Sequence, residues 1–157
     1  MKAATSPKAL KIQAVLGDDF RVLEFETSTR TAADAAAAIG CTVGQIAKSL
    51  IFRANESGKP VLAIASGSVR VDEKRLSALL GESIGRADAE FVREHTGFAI
   101  GGVPPIGHRT PPVIFIDETL LEFETIWAAG GTPNAVFRLR PDDLVRLTGG
   151  TVVAIAK

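Results

Sequence analysis

Residues 101–108 have the sequence GGVPPIGH and form a loop rich in glycine and proline. This loop is the first segment whose residue types could take part in catalysis or binding. Glycine lets a ligand approach the backbone closely, and proline fixes φ and removes a hydrogen-bond donor. We therefore expect a stiff loop whose free N–H groups converge on one acceptor, with His108 at its exit. The residues that could supply these groups are Gly101, Gly102, Val103, Ile106 and Gly107. The alternative is a tight connection that needs Gly and Pro for its shape alone, and composition leaves both open.

Lys48 is the second residue that could do chemistry, because its surroundings have the period of a strand. Alternate residues of a strand point to opposite faces, so Lys48 shares a face with Ile46, Leu50 and Phe52. Burying an unpaired lysine among such residues is costly. The side chain is expected either to reach the strand edge as an ordinary surface lysine or to find an acceptor in a cleft. The residues alone leave both open.

Several familiar catalytic motifs are missing from the sequence. It has no G-x-x-x-x-G-K-[ST] phosphate loop, no G-x-G-x-x-G fingerprint and no G-x-S-x-G elbow. Two histidines, His95 and His108, and one cysteine, Cys41, argue against a zinc site, so we expect neither metal nor cofactor. Cys41 is expected to be a small buried hydrophobic residue, and His95 to cap the end of a helix.

These residues must be positioned by irregularly interleaved helices and strands. Ser6 followed by Pro7 starts a helix, and its apolar stripe is expected to comprise Leu10, Ala14 and Val15. Further helices are predicted over residues 32–39, 72–80, 87–95 and 141–147. Strands are predicted over residues 20–26, 47–54, 60–65, 98–100, 113–116, 126–129, 135–139 and 151–156, with a short acidic turn at 117–122.

The strand pattern and the composition limit the fold and the partners. A hairpin signal at residues 55–58 favours a mixed sheet, and hence an α+β fold, in a single domain over residues 1–157. Lys plus Arg and Asp plus Glu number 18 each, so a nucleic-acid partner would need a local basic patch. The lone cysteine, with neither a signal peptide nor a membrane-spanning run, predicts a cytoplasmic protein without a membrane partner.

Three segments together resemble the YbaK/prolyl-tRNA-synthetase-associated editing-domain family. They are VGQIAKSL at 43–50, VDEKRL at 71–76 and GGVPPIG at 101–107, in the family's order. The specific marks are the lysine of I-A-K-S-L, which is Lys48, and a G-x-x-x-P loop formed by Gly101 and Pro105. The resemblance covers most of the chain, from about Thr31 to the C-terminus. It implies a mixed, barrel-like β-sheet surrounded by helices, and hydrolysis of wrongly charged aminoacyl-tRNA.

The resemblance also implies roles for particular residues. Lys48 would be the active-site lysine, and Gly101 and Gly102 would supply the catalytic backbone beside the aminoacyl group. Gly102 is expected to leave space for the substrate by lacking a side chain. The implied substrate-binding residues are Val103, Pro104, Pro105, Ile106, Gly107, His108, Ser66, Gly67, Gly131 and Asn134. The implied partners are the acceptor end of aminoacyl-tRNA and an aminoacyl-tRNA synthetase.

The family typically edits alanine, cysteine, serine or threonine on proline tRNA. Some relatives carry a functional histidine near the strand that follows the loop equivalent to residues 130–134. This chain has Phe137, Arg138 and Leu139 there, which leaves the edited amino acid open.

Two other functions stay open beside the deacylase. One is a catalytically silent tRNA- or synthetase-binding module of the same fold, and the other is a small-ligand-binding domain that uses the glycine-proline loop. The residues expected to contact tRNA are Arg70, Lys74, Arg75 and Arg109, with ordinary solvated charges as the alternative.

Overall fold

The computed structural model describes residues 1–29 and 31–157. Its five α-helices are α1 (Pro7–Leu16), α2 (Ala32–Ile39), α3 (Glu73–Leu80), α4 (Ala89–Thr96) and α5 (Pro141–Thr148). Its nine strands are β1 (Lys2–Ala3), β2 (Val22–Glu24), β3 (Ile46–Ala54), β4 (Pro60–Ser66), β5 (Ile84–Arg86), β6 (Val113–Asp117), β7 (Ile126–Ala129), β8 (Ala135–Leu139) and β9 (Thr151–Val153). Two 3-10 helices occupy Val43–Gln45 and Glu118–Glu122.

All of these strands belong to one mixed sheet. The strand order is β1-β2-β8-β7-β3-β4-β6-β9. β5 is not part of this order and pairs only with β3. The β3–β7, β4–β6 and β6–β9 pairs are parallel, and the other pairs are antiparallel. Within residues 1–29 and 31–157 no ladder joins β1 to β9, so the sheet is open. The predicted mixed α+β arrangement is confirmed, whereas the barrel-like closure is not observed, because the two end strands lie at opposite edges.

Helix boundaries follow the capping residues of the sequence. The Thr31 hydroxyl accepts a hydrogen bond from Asp34 N–H at 3.0 Å, and Gly40, with φ 85°, ends α2 in the left-handed conformation. The Asp72 carboxylate likewise accepts from two N–H groups in the first turn of α3. The helix predicted over residues 32–39 is confirmed, and the helix at 72–80 has Asp72 as its cap rather than its first residue.

The first helix is confirmed, but its buried face is not the predicted one. The buried side chains of α1 are Ala9, Ile12 and Leu16, whereas Leu10 and Val15 are 48% and 54% exposed. Both sets follow helical spacing, so only the position of α1 against the sheet decides which of them is buried.

Residues 98–100 do not form the predicted strand. The Thr96 hydroxyl accepts from Phe98 N–H at 3.0 Å, and Gly102 N–H donates to the Ala99 carbonyl at 3.0 Å. These local bonds turn the chain and occupy the groups that a strand would use. The sequence also does not predict β1 or β5, because two or three residues are too few to show a periodic pattern.

Helices cover both faces of the sheet. On one face, α1, α4 and α5 contribute Ile12, Val92 and Leu144 to the main core, which also contains Ile64 and Phe137 from the sheet. On the opposite face, α3 packs over β4 and β6, and α2 packs over the start of β3. No helix within the described residues is long and apolar enough to span a bilayer.

The middle of β3 lies between α2 and α3. α2 covers Ile46 at the beginning of the strand, and the cluster around Leu76 of α3 includes Phe52 towards its end. Lys48 and Leu50, which point to the same face, are only half-buried. The fold therefore leaves an opening over Lys48.

The attachment of α3 to the sheet can be tested with one substitution. Leu76→Ala is expected to lower the free energy of unfolding by about 2–5 kcal/mol, because Leu76 is the fully buried side chain of this helix. Leu79→Ala is the matched control, since Leu79 is 49% exposed and its truncation should cost less than about 1 kcal/mol. Urea denaturation measures both, and equal losses would contradict this packing.

Candidate functional site

A cavity opens where β3 and β7 part. These parallel strands pair only at Ile46 with Trp127 and at Ala47 with Ala128. Beyond these pairs, residues of both strands line a cavity of about 280 Å³. The remaining walls come from β8, from α2 and the residues just before it, and from the loops that follow α4 and β7.

The cavity walls are mainly apolar. Ala32 and Ala35 of α2 form one side, and Trp127 and Val136 of the sheet form another. Among the lining residues that the structure describes, Lys48 is the one with a charged side chain. The cavity therefore combines a single cation with small apolar surfaces.

Lys48 has both an acceptor and a place in the cavity wall. Its Nζ donates to the Val69 carbonyl at 2.6 Å. Burial lowers the pKa of the Lys48 ammonium below its ordinary value, and the positive charge of Arg70 lowers it further. Of the two positions that the sequence leaves open, the structure places Lys48 in a cleft with an acceptor.

The first part of the glycine-proline loop reaches the same cavity. Gly101, with φ 92°, and Val103 both line it. Gly102 lies behind them, and its N–H is not free, because it donates to the Ala99 carbonyl. A Cβ at Gly102 would lie 2.8 Å from the Thr132 backbone, so the missing side chain makes room for a neighbouring loop. The expectation that Gly102 leaves space for a substrate is wrong in this respect.

The second part of the loop lies elsewhere. Pro105, Ile106, Gly107 and His108 line a separate surface hollow of about 360 Å³. The buried Pro104 carbonyl accepts from His108 Nε2 at 2.6 Å, so Nε2 carries the proton of the neutral ring. Burial lowers the pKa of His108, and this hydrogen bond opposes the shift. The structure therefore divides the expected single set of N–H groups between two places.

Ser66, the last residue of β4, and Gly67 lie beside the start of β3 in the sheet and do not line the cavity. The buried Ser66 Oγ donates to the Gly44 carbonyl at 2.7 Å. Gly67 N–H donates to the Ile46 carbonyl at 2.7 Å, and a Cβ at Gly67 would meet the Val43 carbonyl. Both residues fix the start of β3, which carries Lys48.

The loop between β7 and β8 forms part of the cavity rim. Gly131 has φ 108°, and a Cβ there would lie 2.9 Å from the backbone of α1. The Asn134 amide donates to the Phe25 carbonyl at 2.9 Å. Pro133, between them, is the residue that lines the cavity, and its carbonyl accepts from the hydroxyl and the N–H of Thr29. Gly131 and Asn134 thus help to fix the conformation of this loop but do not line the cavity.

The four basic residues expected to contact tRNA are divided by the fold. Arg70 lies near the cavity, where its charge acts on Lys48. Lys74 and Arg75 are exposed in the first turn of α3. Arg109 lies apart from them, because its guanidinium donates to a backbone carbonyl of α4. Arg70 is therefore the one adjacent to the candidate site.

The surroundings of Cys41 and His95 indicate structural roles for both residues. Within residues 1–29 and 31–157, no three His, Cys, Asp or Glu side chains cluster as metal ligands would. Cys41 is half-buried, and burial raises the pKa of its thiol, which disfavours the thiolate form. His95 packs on Phe91 with 4.3 Å between ring centroids. The end of α4 is capped by Gly97 N–H, which donates to a carbonyl of the helix, rather than by the expected imidazole.

Sequence reasoning missed part of the cavity wall. Trp127 is the sole tryptophan of the chain and lies in a predicted strand, so its rarity is a signal that could have marked it. Thr29 and Pro133 show no such signal, because their contact joins segments far apart in the sequence.

Comparison with known proteins gives a consistent family. The family model described as an aminoacyl-tRNA editing domain matches residues 26–147. The uncharacterized protein YwhH of Bacillus subtilis (strain 168) is 37% identical over 123 residues, which cover 78% of this chain and 78% of YwhH. EbsC of Enterococcus faecalis, named as a candidate Cys-tRNA(Pro)/Cys-tRNA(Cys) deacylase, is 26% identical over 126 residues, 80% of this chain and 76% of EbsC.

A solved structure agrees over almost the whole chain. It is the crystal structure of a candidate trans-editing enzyme for prolyl-tRNA synthetase. The TM-score is 0.92 and the identity 46%, over 98% of this chain and 99% of that chain.

The contact between the two rim loops can be tested at Gly102. Gly102→Ala is expected to lower the free energy of unfolding by about 1–3 kcal/mol, because the new methyl group must displace the Thr132 backbone. Gly85→Ala is the matched control, since its Cβ would meet only the side chain of exposed Asn55, which can rotate away. Chemical denaturation of both variants measures the difference, and a harmless Gly102→Ala would show that the loops do not touch.

Proposed function

Because the chain belongs to the aminoacyl-tRNA editing-domain family, we propose that it is a deacylase that hydrolyses wrongly charged aminoacyl-tRNA in trans. The observation that carries this proposal is the meeting of Lys48 with the backbone of Gly101 and Val103 at one cavity. Segments far apart in the chain thus bring a cation and a glycine-rich backbone to the same small space.

The chemistry of the cavity suits an ester that is already activated. Among its described lining residues there is no histidine, cysteine or carboxylate to act as nucleophile or general base. Hydrolysis of an aminoacyl ester needs instead a bound water, a fixed ester and stabilisation of the charge that develops on the carbonyl oxygen. The backbone N–H groups of Gly101 and Val103, two residues that line the cavity, would supply that stabilisation. Substrate hydroxyls of the terminal ribose would assist the water.

Lys48 is suited to the nucleotide rather than to the amino acid. An ammonium on a long stem acts as a point charge for phosphate, and Arg70 beside it adds a second positive charge. The cavity would receive the aminoacyl group while these two cations hold the acceptor end of the tRNA.

The apolar walls limit the size of the amino acid that the cavity would accept. Ala32, Ala35, Trp127 and Val136 leave a small space that favours a small side chain. We propose alanine, cysteine, serine or threonine on proline tRNA as substrates. The name of EbsC includes Cys-tRNA(Pro), and the solved relative is named for prolyl-tRNA synthetase, which supports cysteine and proline tRNA in particular. Rejection of the cognate prolyl group would rest on the shape of the cavity.

A deacylation panel tests this function. Proline tRNA charged separately with alanine, serine, threonine, cysteine and proline is incubated with the protein, and initial rates of ester loss are measured. At least one small aminoacyl group should be hydrolysed about tenfold or more faster than the prolyl group. Turnover of none of them, with tRNA binding retained, would refute the deacylase and support a non-catalytic tRNA-binding module.

The role of Lys48 is tested by removing its charge and keeping its stem. Lys48→Met should lower kcat/KM for deacylation about tenfold or more, equivalent to about 1.4 kcal/mol of transition-state stabilisation. Its free energy of unfolding should change by less than about 1.5 kcal/mol, since only one hydrogen bond, to Val69, is lost. Lys59→Met, at an exposed position in the connection between β3 and β4, is the matched control. A Lys48→Met protein that unfolds easily but deacylates normally when folded would make this lysine structural.

A further inference from the structure

The middle of β3 has backbone groups that no strand pairs. In an antiparallel ladder, residues alternate between pointing their N–H and C=O groups towards the partner and away from it. Gly67 N–H donates to the Ile46 carbonyl, and Ala54 N–H donates to the Lys59 carbonyl. The β3–β4 register is continuous between these bonds, so even-numbered residues of β3 face β4. Ser49 therefore points its N–H and C=O to the other edge.

That other edge is open at Ser49. β7 pairs with β3 only as far as Ala47, and β5 pairs with β3 only from Phe52 onward. Within the described residues no strand lies opposite Ser49, and Ser49 lines the cavity. The Ser49 hydroxyl is also buried without a hydrogen-bond partner among those residues.

A third unpaired backbone group lies across the gap. Gly130 N–H donates to the Ala135 carbonyl, so Gly130 turns its backbone groups towards β8. Ala129, one residue earlier, turns towards β3 and also lines the cavity. In a longer ladder its carbonyl would accept from Ser49 N–H, but the ladder ends before this pair. The Ser49 N–H and the carbonyls of Ser49 and Ala129 thus face the cavity between the parted strands.

Unpaired backbone groups among apolar walls are costly, so their arrangement favours a ligand that supplies the missing partners. An aminoacyl group has the same N–Cα–C=O array as one residue of a strand. Two residues opposite each other in an antiparallel pair exchange both of their N–H···O bonds. An aminoacyl group fits the open edge in the same way, as peptides do when they extend a sheet.

We propose that the aminoacyl group binds Ser49 as a one-residue strand. Its carbonyl accepts a hydrogen bond from Ser49 N–H, and its α-amino group donates to the carbonyls of Ser49 and Ala129. This inference rests on the proposed deacylase function and deepens it, because it makes the backbone of β3 the reader of the α-amino group. Recognition of the amino group would then be independent of the amino-acid side chain.

Three esters of proline tRNA test the need for the α-amino group. They carry alanyl, lactyl or propionyl groups, which have an α-amino group, an α-hydroxyl group or neither. Each enzymatic rate is divided by the rate of spontaneous hydrolysis of the same ester. We expect the acceleration to fall in the order alanyl, lactyl, propionyl, with a total loss of about tenfold or more.

The outcomes separate this inference from the function on which it rests. Equal acceleration of all three esters would overturn the inference while leaving the deacylase intact. Acceleration of none of them, the alanyl ester included, would overturn this inference, which makes recognition independent of the amino-acid side chain. The proposed function is refuted with it only if the deacylation panel also shows no turnover of the cysteinyl, seryl and threonyl esters.

A binding experiment tests the location. The probe is 3′-deoxy-3′-(L-alanylamino)adenosine, whose amide linkage replaces the ester, and the readout is amide hydrogen exchange followed by NMR. At saturation, exchange of the Ser49 N–H should slow by about tenfold or more, whereas that of Lys48, whose N–H faces β4, should not change. Binding of the probe without slower exchange at Ser49 would overturn the proposal.

Discussion

The site depends on one constraint, the two-residue ladder between β3 and β7. On their other edges both strands are held by longer antiparallel ladders, β3 by β4 and β7 by β8. Neither strand can close the gap without breaking those bonds. β7 also ends at Ala129, and at the next residue, Gly130, a Cβ would lie 2.7 Å from the Val22 side chain. The cavity is therefore a consequence of how the strands of the sheet pair.

Two features near this gap each lower the stability of the folded state slightly. The pKa of Lys48 is lowered, which means that the fold disfavours its charged form, and the backbone at Ser49 lacks a strand partner. The rest of the sheet is well paired and its main core is continuous. Such local costs inside a consistent scaffold are typical of a functional site.

Local chemistry in the sequence predicted the helices, most strands and the two segments that meet at the cavity. Capping residues such as Thr31 carry their information within a few positions, and so does the composition around Gly101. The face of α1 that is buried could not be predicted, because Leu10 and Ile12 both satisfy helical spacing. The position of Gly102 against Thr132 could not be predicted either, since it is a contact between distant segments.

Contacts between distant segments also decide the position of residues 105–108, the second half of the glycine-proline loop. Residues 105–108 contain glycine and proline, as do the residues before them, so composition predicts a single loop over residues 101–108. The structure separates them, because the chain passes through the buried Val103 and Pro104 and emerges at another surface. Composition thus identified a special segment without showing where each part of it lies.

The open ends of the sheet have a consequence for association with other chains. Exposed strand edges can recruit strands from other polypeptides and so promote aggregation. Here the two end strands, β1 and β9, are two and three residues long, too short to offer much of a template. The unpaired stretch at Ser49 lies instead in the interior of the sheet, in the wall of a cavity of about 280 Å³. The fold thus places its unpaired backbone groups in the wall of a cavity instead of along an outer edge of the sheet.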